Sequence, residues 1–408
     1  MKKIVTVVWM MIYILYYLSI PIVTNAQTDI IRKTDEVHST QEQAVYADGI
    51  ELLTPHAIVM ESSTGTVLLE KNKNERVHPA SVTKIMTMLL IFEALERGEI
   101  SLDTEVVTSA YAKSMGGSQV FLEEGEIQTV ETLMKCIIIA SGNDAAVAMA
   151  ERIDGSELAF VERMNTRAAE LGMNDTHFVD CCGLTDDDAH YTSAYDVALM
   201  SRELLVRYPQ VTEYASTWME DITHTTRQGS SSFTLANTNK LLRACHGCDG
   251  LKTGSTSKAK YCLSATAERE GIRMISVVLT SPDSKTRFSE AGRMLDYGFS
   301  RCRLYRDEDR LPLPEMRLQG MIDQTVKVSY ESDFFWLSTE QKDISEIEKT
   351  LVWKEDIKAP LEQGTCIGSC VYYLDGEKIG ESPIVLQEDA RKSGYFDWMH
   401  YLWNCWCV

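Results

Sequence analysis

The chain carries little positive charge for its length. Its 408 residues include 40 lysines and arginines against 60 aspartates and glutamates, which gives a formal net charge of −20. Nucleic-acid affinity depends on basic side chains that neutralise phosphates, so this deficit argues against a nucleic-acid partner. It also argues against loose electrostatic attachment to anionic lipid. Solubility through self-repulsion is enough to account for the charge.

Two further absences narrow the possible chemistry. The sequence has no internal repeat, and it lacks the Gly-x-Ser-x-Gly pentapeptide of many histidine-dependent serine hydrolases. Its eight histidines stand in no recognisable motif. A hydrolase that uses histidine to activate a serine is therefore not indicated.

The eleven cysteines do not have the spacing of a small disulfide scaffold. Cys136 and Cys262 lie in apolar runs and are expected in the core. The segment Cys245-His246-Gly247-Cys248 suggests a redox or zinc site. A redox site would need a strand–helix context, and zinc would need further ligands, and neither is evident. We expect no metal and no cofactor, and the cysteine pairing stays open.

The N-terminus has the features of an export signal. Two lysines precede an apolar run over residues 4–23, and small residues over 24–26 follow. This pattern predicts a secretory signal over 1–26. An uncleaved membrane anchor is the alternative, because the apolar run is long. In either case we expect the rest of the chain to be exported and to lie outside the cytoplasm.

The chain is longer than a single hydrophobic core usually supports, which indicates two globular domains plus tails. After a flexible lead over 27–50, the apolar pattern predicts a hairpin over 56–72, helices over 81–96, 129–139, 145–153 and 158–171, strands over 250–256, 261–267 and 274–279, and a helix over 284–297. Strands at both ends with helices between them predict an α+β domain over 51–305. Short alternating runs with a turn at Asp375-Gly376 predict a small all-β domain over 306–390.

The final segment, residues 391–408, is rich in aromatic side chains. One helical face would carry Tyr395, Trp398, Met399, Leu402, Cys405 and Trp406, and the opposite face would carry Asp397, His400 and Asn404. This pattern predicts an amphipathic helix that lies on the outer face of the cytoplasmic membrane. A tail packed on the β domain is the alternative.

Ser81-Val82-Thr83-Lys84 places a hydroxyl and an amine three residues apart at a predicted helix start. Residues i and i+3 of a helix share a face, so the Lys84 amine can reach the Ser81 hydroxyl. A serine hydroxyl is a weak nucleophile until a base takes its proton, and lysine is a base only when its pKa is lowered. Apolar flanks predict that Lys84 is buried, and Lys252 is a candidate second cation. This spacing alone also fits a helix N-cap followed by a surface lysine.

Two other segments supply the remaining groups. Ser141-Gly142-Asn143 falls at a break between two predicted helices, which we expect to expose both side chains at a loop tip. There Ser141 can relay a proton, and the Asn143 amide can hold a substrate carbonyl and orient Lys84. Lys252-Thr253-Gly254 begins a predicted strand, where lysine and threonine can bind a carboxylate and glycine permits close approach.

Together the three segments resemble those of the low-molecular-mass penicillin-binding proteins that act as serine-type D-alanyl-D-alanine carboxypeptidases. The resemblance spans His56 to Cys302, and Ser-Gly-Asn rather than Ser-Asp-Asn is typical of this branch. It implies a β-lactamase/transpeptidase-like domain, in which an antiparallel sheet is joined to a helical subdomain. The β-rich segment and the aromatic tail look like this group's second domain and membrane anchor.

The resemblance also implies residue roles. Ser81 would attack the carbonyl of the penultimate D-Ala of a peptidoglycan stem pentapeptide, Lys84 would take the proton, and water would hydrolyse the acyl-enzyme. β-Lactam inhibitors would acylate the same serine, and the resulting acyl-enzyme would be hydrolysed slowly. The backbone N–H groups of Ser81 and Ser255 would form the oxyanion hole, although many relatives carry histidine where Ser255 stands. Arg287 would help Lys252 and its neighbours to hold the terminal carboxylate.

Three other functions stay open at this point. Glu170-Leu171-Gly172-Met173-Asn174 comes close to the Glu-x-x-Leu-Asn segment with which class A β-lactamases position water. We interpret it instead as a helix C-terminus, with Leu171 and Met173 in the core. Transpeptidase or endopeptidase activity uses the same motifs. A non-catalytic wall-binding protein is the alternative from another class, and the complete set of site residues argues against it.

Overall fold

The computed structural model describes residues 45–47, 49–226, 229–322, 325–340 and 342–406. The predicted secretory signal and most of the flexible lead lie outside the described residues. The helices are α1 (Lys84–Glu96), α2 (Ala110–Lys113), α3 (Val130–Ile138), α4 (Asn143–Asp154), α5 (Glu157–Glu170), α6 (Ala194–Arg207), α7 (Val211–Ala215), α8 (Ser284–Arg301) and α9 (Tyr395–Trp406).

The strands are β1 (Val45–Ala47), β2 (Ile50–Leu52), β3 (His56–Glu61), β4 (Val67–Lys71), β5 (Glu105–Val107), β6 (Ile127–Thr129), β7 (Met219–Thr226), β8 (Gly229–Ala236), β9 (Cys248–Thr256), β10 (Lys260–Arg269), β11 (Ile272–Ser281), β12 (Arg303–Arg306), β13 (Val328–Tyr330), β14 (Phe335–Ser338), β15 (Glu348–Trp353), β16 (Cys366–Leu374) and β17 (Glu377–Leu386). Short 3₁₀ turns occur at Ala80–Thr83, Lys240–Arg243 and Ile344–Glu346.

The main sheet has five antiparallel strands in the order β4-β3-β11-β10-β9. Its first two strands come from the N-terminal hairpin, and the other three lie far along the chain, in residues 248–281. Ile58 of β3 lies opposite Val277 of β11, and Gly254 of β9 lies opposite Cys262 of β10. The predicted sheet assembled from distant segments is therefore confirmed.

Apolar side chains cover both faces of this sheet. One face belongs to a large core that includes α1, which is buried nearly all round because its residues are apolar on every side. The other face carries α8, whose Met294 and Leu295 pack in a second core with Leu263 and Val278. The sheet is thus a middle layer between two cores, and residues of β9 can face either one.

The sequence patterns predicted no elements over 175–249, where the structure has α6, α7 and the hairpin of β7 and β8. Strand β7 exposes half of its side chains and β8 exposes most of them, and both are rich in threonine and serine. A polar hairpin of this kind lacks the apolar alternation that identifies a half-buried strand. Its position is set by contacts such as that of His224 with Glu126, whose Nδ1 and Oε1 atoms are 2.7 Å apart.

The β-rich segment forms a four-stranded antiparallel sheet in the order β13-β17-β16-β15, beside the pair β12 and β14. Asp375 and Gly376 join β16 to β17 with φ values of +53° and +79°, as a tight hairpin turn with two left-handed residues requires. The predicted turn is confirmed. Phe334 stacks on Tyr372 with ring centroids 3.7 Å apart, which forms one of two small cores.

The helix α9 covers the predicted C-terminal helix. Its side chains are exposed along its whole described length, and Trp406 is 93% exposed. Within the described residues, α9 therefore buries none of its side chains. Among the described helices, none combines the length and apolar character needed to cross a bilayer.

The ten cysteines within the described residues are all free thiols. Cys136 and Cys262 are fully buried, as predicted from their apolar flanks.

Candidate active site

The turn that carries Ser81 lies directly against β9. A Cβ placed on Gly254 would come within 2.9 Å of the Ser81 nitrogen and 3.0 Å of the Val82 nitrogen. Only glycine allows the strand this close, since real Cβ atoms essentially never approach a heavy atom within 3.0 Å. The tertiary fold thus brings the Ser81 and Lys252 segments together.

Ser81 and Lys84 make the predicted contact, by a local structure that differs from the prediction. The α-helix begins at Lys84, and Ser81 lies in the preceding 3₁₀ turn. Because a 3₁₀ turn has three residues per turn, residues i and i+3 stand above one another. The Lys84 Nζ atom lies 3.1 Å from the Ser81 Oγ atom.

The surroundings of Lys84 favour a neutral amine. The side chain is fully buried, and burial lowers its pKa, although nearby Cys182, Cys181 and Asp180 oppose the shift. Its Nζ atom donates to Asn143 Oδ1 at 2.5 Å and to the carbonyl of Cys182 at 2.8 Å. A neutral amine has two N–H donors and one lone pair. Two carbonyl acceptors satisfy the donors, so the lone pair is available to the Ser81 hydroxyl.

Ser141 and Asn143 enter the same site but are buried, so the prediction that both side chains are exposed at a loop tip is wrong. Ser141 is 3% exposed and Asn143 is 2% exposed. A covering segment explains this burial: Asn143 donates its backbone N–H to Ser118 O at 2.8 Å and its Nδ2 to Gly116 O at 2.7 Å. The Ser141 hydroxyl has no hydrogen-bond partner among the described residues, and its φ of +63° holds it in the left-handed region.

Lys252 is also buried beside Lys84. Burial lowers its pKa well below the ordinary value, and the Arg287 charge and, whenever it is protonated, the Lys84 amine add to this shift. Its Nζ atom donates to Thr253 O at 2.8 Å, and Thr253 Oγ1 lies 2.5 Å from Thr238 Oγ1. The site therefore holds two lysines that cannot both be readily protonated, and one of them would gain from an anionic ligand.

Ser255 and Arg287 lie at the edge of the site. Ser255 is exposed at the strand position after Gly254. Arg287 is buried, and one of its terminal nitrogens donates to Gly254 O at 3.1 Å and to Cys262 O at 3.2 Å. The guanidinium therefore fastens α8 to the strand that carries the lysine, and its buried Nε atom has no partner within the described part of the chain.

Sequence reasoning missed the loop over 180–190, which supplies the Cys182 carbonyl. The Asp180 carboxylate accepts hydrogen bonds from the backbone N–H groups of four residues over 182–185, which shapes the loop. The Cys181 carbonyl accepts from Thr87 Oγ1 at 2.5 Å, one turn along α1 from Lys84. A backbone carbonyl carries no sequence signal, so a motif search could not have found this contact.

The segment that resembles a β-lactamase water site ends a helix, as interpreted. Glu170 is the last residue of α5, its side chain is exposed, and it accepts a hydrogen bond from Arg167 at 3.2 Å. Gly172 has a φ of +74°, as a left-handed helix cap requires, and Met173 is buried.

Two family models and several known proteins match this chain over most of its length. Residues 40–283 match the D-alanyl-D-alanine carboxypeptidase family, and residues 316–392 match the C-terminal domain of penicillin-binding protein 5. The D-alanyl-D-alanine carboxypeptidase DacF of Bacillus subtilis is 41% identical over 353 residues, which cover 86% of this chain and 89% of the relative. DacA of Escherichia coli is 30% identical over 365 residues, with 86% and 87% covered.

Solved structures agree with the sequence matches. Penicillin-binding protein 5 from Haemophilus influenzae is 30% identical, with a TM-score of 0.62, 84% of this chain covered and 98% of that chain. A peptidoglycan synthesis regulatory factor from Streptococcus pneumoniae is 29% identical, with a TM-score of 0.66 and coverages of 84% and 100%.

Proposed function

Because this chain belongs to the D-alanyl-D-alanine carboxypeptidase family, we propose that it removes the terminal D-alanine from peptidoglycan stem pentapeptides through an acyl-enzyme on Ser81. The observation that carries the proposal is the 3.1 Å contact between Lys84 Nζ and Ser81 Oγ inside a buried site. Two carbonyl acceptors occupy the other hydrogen-bonding positions of the same amine. Lys84 is thereby oriented with its lone pair toward the hydroxyl.

The first step is attack on the penultimate D-Ala carbonyl. Lys84 takes the Ser81 proton as the Oγ atom bonds to the carbonyl carbon, and negative charge moves to the carbonyl oxygen. The backbone N–H groups of Ser81 and Ser255 would stabilise that charge. This pairing is supported by the close approach of β9, at Gly254, to the turn that carries Ser81. The Ser81 N–H also lies at a helix start, where it has no intrahelical acceptor.

The second step is departure of D-Ala, which needs a proton on its amine. The buried Ser141 hydroxyl would pass that proton from the Lys84 ammonium to the leaving amine. Its lack of another partner among the described residues supports this role. Water then attacks the acyl-enzyme, and the same groups act in reverse order.

Recognition of the substrate's terminal carboxylate falls to Lys252 and Thr253. A carboxylate beside Lys252 would favour its protonated form, which burial and the neighbouring Lys84 and Arg287 otherwise disfavour. Arg287 would act mainly by holding β9, because its guanidinium already donates to Gly254 O and Cys262 O. A β-lactam, which carries a carboxylate and a reactive amide, would bind in the same way and acylate Ser81.

Mass spectrometry of the penicillin-treated protein tests the nucleophile. We expect one adduct per chain on the peptide that contains Ser81, and a Ser81→Ala variant with neither the adduct nor D-Ala release from a pentapeptide. Ser216→Ala, at an exposed helix end, is the matched control and should behave as the wild type. Penicillin labelling or D-Ala release that persists in Ser81→Ala would refute the assignment.

Product analysis separates the related activities. Release of D-Ala alone from the pentapeptide identifies a carboxypeptidase, and a cross-linked product with an added amine acceptor identifies a transpeptidase. Rapid multiple turnover of penicillin would identify a β-lactamase.

We also propose that the exported chain rests on the outer face of the membrane through α9. Trp398, Trp403 and Trp406 are exposed on α9, which buries none of its described side chains. Because the chain is acidic, binding to neutral vesicles should match or exceed binding to anionic vesicles. A Trp403→Ser/Trp406→Ser variant should lose vesicle binding and keep penicillin acylation. Equal vesicle binding by this variant would contradict the proposal.

A further inference from the structure

Cys248 begins β9 and Cys245 lies three residues before it, on the side of the sheet away from Lys84. Both pack against the core formed with α8, whereas Lys84 lies on α1 in the other core. Cys245 also lines a cavity of about 800 Å³ between the Lys240–Arg243 turn and α8. We propose that these two cysteines form a reversible dithiol–disulfide pair that exchanges with small anionic disulfides. This site is separate from Ser81, so the inference does not depend on the proposed acyl transfer.

The backbone places the two cysteines at the right separation. The Cys248 N–H donates to Cys245 O at 3.2 Å, which closes a four-residue β-turn. Such turns hold their first and fourth Cα atoms within 7 Å, and disulfides span Cα distances of 4.4–6.8 Å. Gly247 makes the turn possible, since its φ is +76° and a Cβ there would lie 2.4 Å from Glu268 O. A disulfide could therefore form without unfolding the strand.

The surroundings of the pair do not suit the other uses of a Cys-x-x-Cys segment. A thioredoxin-like site places its first cysteine at a helix N-terminus, whereas Cys245 follows the end of a 3₁₀ turn and Cys248 begins a strand. Among the described residues, the cluster of three potential metal ligands is formed by Glu157, Asp180 and Cys182 instead. The oxygens of those two carboxylates already accept hydrogen bonds, mostly from backbone N–H groups.

The cavity favours an anionic reagent. Lys240 and Lys285 line it with exposed side chains, although the chain as a whole is strongly acidic. Asp296, the one acidic residue in its lining, is paired with Arg269 at 2.8 Å. A disulfide that carries carboxylates would be attracted to these cations, and a cationic disulfide would be repelled.

Cys245 is the residue that would react first. It lines the cavity, and a terminal nitrogen of Arg269 lies 3.4 Å from its Sγ atom. Burial raises the pKa of both thiols, that of Cys248 to about 12, but the Arg269 charge partly offsets the effect at Cys245. A nearby guanidinium stabilises the thiolate, which is the attacking species in thiol–disulfide exchange.

The exchange balances without any other reactant. The Cys245 thiol loses its proton, its sulfur bonds to one sulfur of the small disulfide, and the first small thiol leaves with that proton. The Cys248 thiol then loses its proton and attacks the Cys245 sulfur, which releases the second small thiol. Two protein thiols and one small disulfide thus become one protein disulfide and two small thiols, and excess small thiol reverses the reaction.

The test treats the full-length protein with oxidised glutathione, which is anionic, or with cystamine, which is cationic, followed by alkylation and peptide mass spectrometry. We expect a Cys245–Cys248 disulfide that forms at least several-fold faster with oxidised glutathione. The Cys248→Ser variant should accumulate a glutathione adduct on Cys245, and Cys245→Ser should form neither adduct nor disulfide at this turn. In a Lys240→Gln/Lys285→Gln variant the rate difference between the two reagents should shrink.

The buried pair Cys181 and Cys182 provides an internal control and should remain alkylatable only after denaturation. The proposal is overturned if Cys245 and Cys248 both remain thiols after treatment. It is equally overturned if cystamine reacts as fast as oxidised glutathione, or if the Cys248→Ser adduct forms on another cysteine.

Discussion

Two glycines with the same backbone conformation offer a sharp test of how the loop over 180–190 holds the active site. Gly172 and Gly183 both have a φ of +74°. A Cβ on Gly172 would meet nothing within 4 Å, whereas a Cβ on Gly183 would lie 1.8 Å from Ala80 O and 2.7 Å from Thr83 Oγ1. Ala80 and Thr83 are the first and last residues of the turn that carries Ser81, so alanine at these two glycines separates backbone strain from displacement of that turn.

Gly172→Ala should lower the free energy of unfolding by about 1–2 kcal/mol, the cost of a left-handed alanine, and leave penicillin acylation unchanged. Gly183→Ala adds a contact about 1.6 Å inside the shortest ordinary van der Waals distance of 3.4 Å. The turn or the loop must move by more than 1 Å, and a displacement of this size can reduce a rate by about 100-fold. The acylation rate of Gly183→Ala should therefore fall by about that factor.

Stopped-flow acylation with a chromogenic or fluorescent β-lactam measures the rate, and urea unfolding of the same samples measures stability. The reasoning would be refuted if Gly183→Ala acylates within a few-fold of Gly172→Ala while both remain folded. A Gly183→Ala protein that is merely unfolded would be recognised in the urea curves, and Gly183→Ser would not be informative because it carries the same Cβ.

Four other predictions follow from charged groups that are buried or half-buried. Because Lys84 must be neutral to act as base and burial lowers its pKa, acylation should rise with pH and reach half its maximum below pH 10.5, measured with a β-lactam over a pH series. Asp180→Asn replaces one of the two carboxylate oxygens with an NH₂ donor, so two of the four backbone N–H groups bonded to the carboxylate lose their acceptor. The variant should cost about 2–3 kcal/mol in urea unfolding and slow acylation. Asp307→Asn removes the buried negative charge to which Lys349 and Tyr372 donate in the β domain. This variant should lower the free energy of unfolding by about 3 kcal/mol and leave acylation unchanged. Burial opposes ionisation of Asp307, but its two donors hold its pKa below 3.8, so its stabilisation should be present above that pH and disappear as pH falls through the lower pKa in wild-type unfolding curves.

The sequence was sufficient to predict the elements that contain regular apolar patterns or characteristic turn residues. The hairpin of β3 and β4, the buried helix α1 and the turn at Asp375 and Gly376 all lie where the patterns predicted them. The polar hairpin of β7 and β8 was not predicted, because its side chains alternate weakly and its place depends on a few contacts such as His224 with Glu126.

The candidate active site likewise contains features that the sequence predicts and features that it does not. The roles of Ser81, Lys84 and Asn143 were inferred from residue type and spacing, and the structure joins them through Lys84 Nζ. Their burial was predicted correctly only for Lys84. The helix break at Ser141 looked exposed, because a single sequence does not show that the segment near Ser118 folds over it.

The sequence alone determined which chemical groups the site contains and which local turns present them, because both depend on residue type and short spacings. Only the tertiary structure decided that the Cys182 carbonyl completes the contacts of Lys84, that glycines let β9 and the loop over 180–190 touch the nucleophile's turn, and that a basic cavity lies behind the sheet. These features depend on close approach between backbone atoms far apart in the chain, and a backbone atom is the same at every position of a sequence.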